Sequence, residues 1–180
     1  MSLQSKTIND PSALDAVQES RNRVGSMALI HQKLYQGENL AAIEMRDYFE
    51  TIGTTIINSF GAKAQGVELE VKMPEIELDV DTAIPIGLIT NELITNSLKY
   101  AFQEKEDGKI FISMKKEGDN LIQLKITDNG IHQSSSSEGG TGFGTMLINL
   151  LTRQLGGELE QSTEQGTATI IKFPLNMKVA

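Results

Sequence analysis

The sequence predicts an α+β fold, a two-layer α/β sandwich with helices on one side of a mixed, mostly antiparallel sheet. A helical hairpin is predicted to precede it. Two patterns lead to this prediction: apolar residues recur at helical spacing as far as Phe60, and strand-like alternation with period two begins after Gly61. We therefore place a boundary at about residue 62, between a helical region over 1–62 and an α/β domain over 63–180.

Two amphipathic helices are predicted for the first region. Asp10 is a candidate N-cap with Pro11 in the first turn, and an apolar stripe continues that helix to about Tyr35. The second helix is predicted from about Met45 to Phe60. Because no strand separates them, the two helices suggest a hairpin or bundle arm that a partner chain completes.

Strands and helices alternate in the second region. One helix is predicted to run from Asp81 to Phe102, capped by Asp81 or Thr82, and Pro85 is tolerated only near its start. A last helix is predicted over about 143–154. The predicted strands cover 67–71, 76–78, 109–114, 121–127, 158–162 and 168–173, and the third and fourth of them form a hairpin across the turn 117–120.

Composition excludes several classes of function. A net charge of −8 argues against binding a nucleic-acid backbone, which requires a basic surface. No apolar run approaches the roughly 18 residues of a membrane span. The chain has no cysteine, which excludes disulfides and thiolate zinc sites and fits a cytoplasmic address. Its two histidines, His31 and His132, are too few for a histidine-rich metal site.

A polar stripe follows one face of the helix predicted to begin at Asp81. Glu92, Asn96 and Lys99 stand at i, i+4 and i+7, while Ile94 and Leu98 point toward the opposite, core side. A carboxylate, an amide and an ammonium on one face suit a magnesium–phosphate site, because Mg²⁺ prefers oxygen ligands and Lys99 neutralises phosphate. Taken alone, the stripe is more simply interpreted as a solvated helix face.

Two glycine-containing motifs follow the predicted hairpin. Asp128-Asn-Gly130 suits a turn, and it also suits a carboxylate acceptor for an adenine amine beside a glycine that lets backbone approach the base. The string from Gly139 to Gly144 opens a helix, where backbone N–H groups favour phosphate. Alone, it is a flexible loop as often as a phosphate cradle, and it matches neither a P-loop nor a dinucleotide-binding fingerprint.

In this order and spacing, the motifs resemble the ATP-binding domain shared by sensor histidine kinases, DNA gyrase, heat-shock chaperone ATPases and mismatch-repair ATPases. The resemblance covers nearly everything from residue 64 onward, including the Gly-Gly pair after the last helix and Gly166-Thr167 before the last strand. The segments Arg21–Tyr35 and Asp79–Leu93 look like those of bacterial sensor kinases with a variant pair of dimerisation helices.

The resemblance implies roles on the polar helix face, with ATP and Mg²⁺ as cofactors. Asn96 would hold Mg²⁺, and Asn91 and Lys99 would support the phosphates with Tyr100 nearby. Glu92 stands where relatives keep a carboxylate general base, and in a kinase it would help to polarise the acceptor imidazole. Glu92 and Lys99 are thus the predicted catalytic residues.

The resemblance also implies a base pocket and a phosphate loop. Asp128 would bind adenine, Gly130 would shape the pocket, and Thr167 would assist at the adenine through water. Gly142 and Gly144 would form the phosphate loop, and residues 131–141 the mobile lid over ATP. This sequence departs from the family at His132, where the family usually has glycine. A side chain there would crowd the base or reshape the lid, and either effect predicts weak affinity. The simpler interpretation of His132 itself is a solvent-exposed loop histidine, rather than a catalytic residue.

The implied activity is transfer of the ATP γ-phosphate to a histidine, followed by relay to an aspartate of a response regulator. The implied full-length protein is a homodimer through its N-terminal helices, cytoplasmic or attached to a membrane by upstream segments. The motif that carries the acceptor histidine is missing, and His31 lies on the apolar stripe. We therefore interpret 1–62 as a truncated dimerisation region, behind a short leader at Met1–Leu3, and predict that this chain binds nucleotide without phosphorylating itself.

Two alternatives remain open from the sequence. A catalytically degenerate adaptor or anti-sigma-like binding module would explain the altered glycine box and the missing acceptor, although the intact Asn96 and Lys99 argue against it. A gyrase-type or chaperone ATPase would need transducer segments that 180 residues cannot hold.

Overall fold

The computed structural model describes residues 42–102, 107–131, 143–163 and 166–175, together with the isolated positions 25 and 28. The helix predicted from Asp10 to Tyr35 lies outside these ranges, apart from Gly25 and Ala28, which both have helical backbone. His31, His132 and the predicted loop over 139–142 also lie outside the described residues.

Helices and strands in the described residues follow the predicted order, with one exception: a two-residue strand precedes the helix that begins at Met45, where the sequence analysis predicted no strand. The α-helices are α1 (Met45–Phe60), α2 (Val80–Asn96) and α3 (Phe143–Gln154), with a 3₁₀ turn at Gly61–Ala64 and a π-helical turn at Ser97–Ala101. The strands are β1 (Ile43–Glu44), β2 (Glu68–Val71), β3 (Glu77–Leu78), β4 (Lys109–Glu117), β5 (Leu121–Asp128), β6 (Glu158–Ser162) and β7 (Ala168–Pro174). No helix among the described residues is long and apolar enough to cross a membrane.

The main sheet has five strands in the order β2-β4-β5-β7-β6. β2 runs parallel to β4, and the other neighbours are antiparallel, so the predicted mixed, mostly antiparallel sheet is confirmed. The predicted hairpin is confirmed as well, because Glu117 pairs with Leu121 across the β4–β5 turn. β1 and β3 form a separate two-stranded ribbon.

The core lies between the helices and one face of the sheet. Alternate residues of the three central strands are buried, as period-two alternation predicts. These inward residues are Ile110, Ile112, Met114, Ile122, Leu124, Ile126, Ile171 and Phe173. Burial of each such side chain stabilises the fold by roughly 1.5–3 kcal/mol relative to exposure.

The helix α1 belongs to this same core. Phe49 and Ile52 are fully buried in it, and Tyr48 donates a hydrogen bond from its hydroxyl to the carbonyl of Ala83 in α2 at 3.3 Å. Burial raises the pKa of the Tyr48 hydroxyl. The boundary that the sequence places at about residue 62 therefore runs between two segments that pack together, because the apolar face of α1 is covered by α2 and the sheet.

The start of α2 differs from the sequence prediction. Asp79, rather than Asp81 or Thr82, is the N-cap: its backbone is extended, and its carboxylate accepts from the Thr82 N–H at 3.1 Å and the Thr82 hydroxyl at 2.8 Å. Asp81 lies in the first turn, where a negative charge is favourable. Pro85 lies near the start of the helix, as expected.

Candidate functional site

Asp128 is the centre of the candidate base pocket at the end of β5. Its side chain is buried, with 6% of the residue exposed. Three donors meet the carboxylate, two of them from distant parts of the chain: the Ser97 hydroxyl donates to Oδ2 at 2.7 Å, and the Thr167 N–H donates to Oδ1 at 3.2 Å. The third is local, the N–H of Gly130, which donates to Oδ1 at 3.0 Å. Donors to an ionised carboxylate form stronger hydrogen bonds than neutral pairs. The acceptor that the sequence predicts is therefore held in a defined orientation.

Gly130 lies against the end of the helix that carries the polar stripe. A Cβ atom at this position would meet the Cβ and carbonyl oxygen of Ala101 closer than 3.0 Å, a separation that real Cβ atoms essentially never show. The next residue, Ile131, donates its N–H to that same carbonyl at 3.1 Å. Glycine is thus required by contact with Ala101, a reason that the sequence interpretation, based on approach to the base, did not include.

Gly166 and Thr167 also contact Asp128. The Thr167 carbonyl accepts from the Asp128 N–H at 2.9 Å, so the two residues are tied by both backbone and side chain. Gly166 has a φ of +87°, and a Cβ there would collide with the Asp128 carbonyl oxygen. The hydroxyl oxygen of Thr167 is buried and has no hydrogen-bond partner among the described residues. An orphaned hydroxyl beside the acceptor is available for a ligand or a bridging water.

Asn129 is a residue whose role the sequence reasoning missed. Its Oδ1 accepts from the Lys109 N–H at 2.7 Å, and its Nδ2 donates to the Asp107 carbonyl at 3.1 Å. These bonds fasten the start of β4 to the segment that follows β5. The turn chemistry of Asp-Asn-Gly was the available signal, since Asn side chains bond readily to backbone.

The polar face of α2 becomes more exposed toward its end. Asn91 and Glu92 are each only 2% exposed, Asn96 and Lys99 are partly buried, and Tyr100 is 57% exposed. Of the three stripe residues, Glu92 contradicts the interpretation as a solvated helix face, because it is buried. A buried carboxylate and amide on a helix whose opposite side packs in the core are costly to retain without a polar role.

The predicted magnesium ligand and a donor to the predicted base acceptor are consecutive residues of the chain, Asn96 and Ser97. Asn96, the predicted magnesium ligand, is the last residue of α2, and Ser97, which donates to Asp128, begins the π-helical turn. Such turns occur frequently at functional sites. Gly144 lies in the first turn of α3, which packs against α2, whereas Gly142 is outside the described residues.

The donor set fits a nucleotide with magnesium. Asp128 offers carboxylate oxygens for an amine, and the Thr167 hydroxyl can both donate and accept. The Asn96 amide oxygen is a hard ligand of the kind that Mg²⁺ accepts beside phosphate oxygens and water. Within the described ranges, no group of three or more His, Cys, Asp or Glu side chains is arranged to hold a metal ion.

Comparison with known families matches both parts of the chain. Residues 81–177 match the family described as histidine kinase-, DNA gyrase B-, and HSP90-like ATPase, and residues 1–60 match a family described as histidine kinase.

Curated relatives are sensor kinases. The chain is 25% identical over 154 residues to blue-light-activated histidine kinase 2 of Erythrobacter litoralis, an alignment of 80% of this chain and 44% of that protein. It is 23% identical over 184 residues to the sensor histidine kinase PdtaS of Mycobacterium tuberculosis, covering 98% and 36%. The chain therefore spans less than half the length of these relatives.

Solved structures share the fold. The histidine kinase domain of a blue-light activated kinase from Erythrobacter litoralis superposes with a TM-score of 0.75 at 22% identity, covering 89% of this chain and 76% of that one. The mycobacterial sensor histidine kinase MprB superposes with a TM-score of 0.56 at 18% identity, covering 74% and 97%.

Proposed function

The chain belongs to the family of histidine kinase-, DNA gyrase B-, and HSP90-like ATPases, and from this premise we propose that it is the phosphoryl-donating part of a sensor histidine kinase. The ATP γ-phosphate is transferred to a histidine outside this chain and relayed to an aspartate of a response-regulator receiver domain. The ATP-binding catalytic domain covers 63–180, and 1–62 belongs to a dimerisation and phosphotransfer region. The protein acts in the cytoplasm.

The observation that carries the proposal is the buried carboxylate of Asp128, oriented by three donors from separate segments. An ionised carboxylate offers acceptor positions only, and the exocyclic amine of adenine offers donors. The orphaned hydroxyl of Thr167 lies on the same wall and supports a second contact to the base. Gly130 keeps the backbone close to Ala101 and holds that wall in place.

The polar face of α2 supports the phosphate end of the same site. Asn96 holds the metal, and Asn91 and Lys99 contact the phosphates with Tyr100 at the rim. Mg²⁺ held there would supply positive charge beside the phosphates during phosphoryl transfer. Lys99 adds a positive point charge there, and Glu92 helps to polarise the imidazole that accepts the phosphoryl group. Gly142 and Gly144 supply backbone N–H groups to the phosphates.

The acceptor histidine and the oligomeric state form a further part of the proposal. We propose a homodimer through the N-terminal helices, with an acceptor histidine other than His31 and His132, and no nucleic-acid partner. His31 is then a structural residue, and the chain alone does not label itself.

Calorimetric titration tests the nucleotide site. ADP and a non-hydrolysable ATP analogue are titrated into the chain with and without Mg²⁺, beside Asp128→Ala and the control Asp119→Ala in the exposed β4–β5 turn. We expect binding that Mg²⁺ strengthens, loss of binding in Asp128→Ala, and unchanged binding in the control. Absence of binding to the unaltered chain at millimolar nucleotide would reject the proposal. The better interpretation would then be a catalytically degenerate adaptor or anti-sigma-like binding module.

Incubation with γ-labelled ATP tests the acceptor. We expect the chain alone to remain unlabelled, because its only histidines are His31 and His132. Stable, acid-labile label that His31→Gln removes would contradict this expectation and would make the chain a complete autokinase.

A further inference from the structure

Ser97 is the buried hydroxyl beside the base acceptor, and neither the composition nor the helical stripe singled it out. It is 6% exposed, and its Oγ lies 2.7 Å from Asp128 Oδ2 and 3.2 Å from the Leu93 carbonyl oxygen. A serine hydroxyl has one hydrogen to donate. The shorter contact, to a group that carries charge, takes that hydrogen in preference to the longer contact to a neutral carbonyl.

The backbone around Ser97 brings this hydroxyl to the end of β5. Ser97 begins the π-helical turn Ser97–Ala101, and the carbonyl at the other end of the turn, that of Ala101, accepts the Ile131 N–H at 3.1 Å. Both ends of the turn therefore bond to the segment 128–131. The N–H groups of Gly130 and Thr167 both donate to Oδ1 of Asp128, and the Ser97 hydroxyl donates to the other oxygen, Oδ2.

We propose that Ser97 is a positioning residue that sets the preference of the site for adenine nucleotides. By donating to Oδ2 it prevents rotation of the carboxylate about its last bond, so that Asp128 keeps its acceptor orientation toward an amine at C6 of a purine. A purine with a carbonyl at C6 brings an acceptor to the same carboxylate and is rejected. This inference rests on the proposed function, because it needs a purine in the Asp128 pocket.

The test compares two nucleotides that differ at C6, ADP and inosine diphosphate, by calorimetry on the 180-residue chain. The variants are Ser97→Ala and the matched control Ser59→Ala, a helical serine in α1 whose hydroxyl donates to the Ile56 carbonyl at 2.7 Å. Loss of a hydrogen bond to a charged group predicts ADP binding about tenfold weaker in Ser97→Ala, with inosine diphosphate changed by less than about twofold. The control is expected to keep both affinities.

The ratio of the ADP affinity to the inosine diphosphate affinity distinguishes a positioning role of Ser97 from a general disturbance of the structure. Structural disturbance at Ser97 would weaken both nucleotides alike and leave the ratio unchanged, and that result overturns the proposal, as does unchanged ADP binding in Ser97→Ala. If the unaltered chain binds neither nucleotide, the proposed function fails and this inference falls with it. Binding by the unaltered chain, with a ratio that Ser97→Ala does not alter, rejects the role of Ser97 alone.

Discussion

The base end of the candidate site is assembled from three distant segments of the chain, whereas the polar side chains of the phosphate end lie along one helix and its π-helical extension. Asp128 is bonded to Ser97, 31 residues before it, and to Thr167, 39 residues after it. Asn91, Glu92, Asn96 and Lys99, in contrast, follow one another along α2 and its π-helical extension. The position of the base-end residues therefore depends on how distant segments of the chain pack together, whereas the position of the residues on α2 follows from the periodicity of that helix.

The two ends also differ in how a substitution should act. At the base end, the donors Ser97 and Thr167 also join separate elements of the fold, so that a change in one residue should disturb the others. Along α2, each side chain depends mainly on its own position on the helix, and effects should be local. The four predictions below test this contrast, from the largest expected effect to the smallest.

Asp128→Asn is expected to abolish adenine binding while the fold survives. The amide oxygen can accept from the N–H groups of Gly130 and Thr167, and the amide nitrogen can donate to the Ser97 oxygen, so local bonds are retained. An amide nitrogen facing the adenine amine places donor against donor. We expect ADP affinity to fall on the order of hundredfold or more by calorimetry.

The matched control for this prediction is Asp119→Asn in the exposed turn, which should leave ADP affinity unchanged. A melting temperature that drops steeply in Asp128→Asn would contradict the proposed retention of local bonds. Retained ADP binding would show that the carboxylate is not the base acceptor.

Gly166→Ala is expected to destabilise the fold through the base end. Gly166 and Gly118 both have positive φ, 87° and 66°, but only Gly166 faces backbone: its Cβ would meet the Asp128 carbonyl, whereas Gly118 faces open space. Positive φ costs an alanine roughly 1 kcal/mol at either position, and the collision should add about 2 kcal/mol at Gly166. Urea denaturation of both variants measures the difference in the free energy of unfolding. Equal losses would mean that the segment 166–167 moves away from Asp128 easily.

Asn96→Ala is expected to remove the magnesium-dependent part of nucleotide binding and nothing else. Loss of one amide ligand should weaken binding of the non-hydrolysable ATP analogue about tenfold in the presence of Mg²⁺. ADP binding without metal should be unchanged, because the base end does not involve the Asn96 side chain. The control is Asn149→Ala, a helical asparagine in α3 whose amide donates to the Thr145 carbonyl at 2.9 Å. Equal loss with and without metal would refute the assignment of Asn96 as ligand.

Asp79→Ala is expected to cost about 1 kcal/mol in the free energy of unfolding, the usual effect of losing an N-cap. Asp79 caps α2 at the end opposite to the site, through Thr82. Because its effect is local to the first turn, nucleotide affinity should change less than about twofold by calorimetry. A larger loss of affinity would mean that the two ends of α2 are coupled, and the contrast between local and distributed effects would weaken.

Periodicity alone predicted the secondary structure well. The predicted bounds of α1 and α3 match the structure, and the predicted hairpin joins β4 and β5 as expected. These elements were predictable because the apolar spacing of a helix or strand is written in consecutive residues. The cap of α2 was missed by two or three residues, since Asp79, Asp81 and Thr82 all suit a cap and only the backbone conformation selects one.

The sequence by itself determined the order of helices and strands, the polar stripe on α2 and the identity of Asp128 as a candidate acceptor. Only the tertiary structure decided that Ser97 and Thr167 meet that carboxylate, that Asn129 fastens β4, and that α1 packs into the core of the ATP-binding domain. The physical reason is the separation in sequence between the residues that contact each other. Side chains a few residues apart are related by the geometry of one helix or strand, whereas contacts across 31 or 39 residues depend on how the strands pair and how the helices cover them.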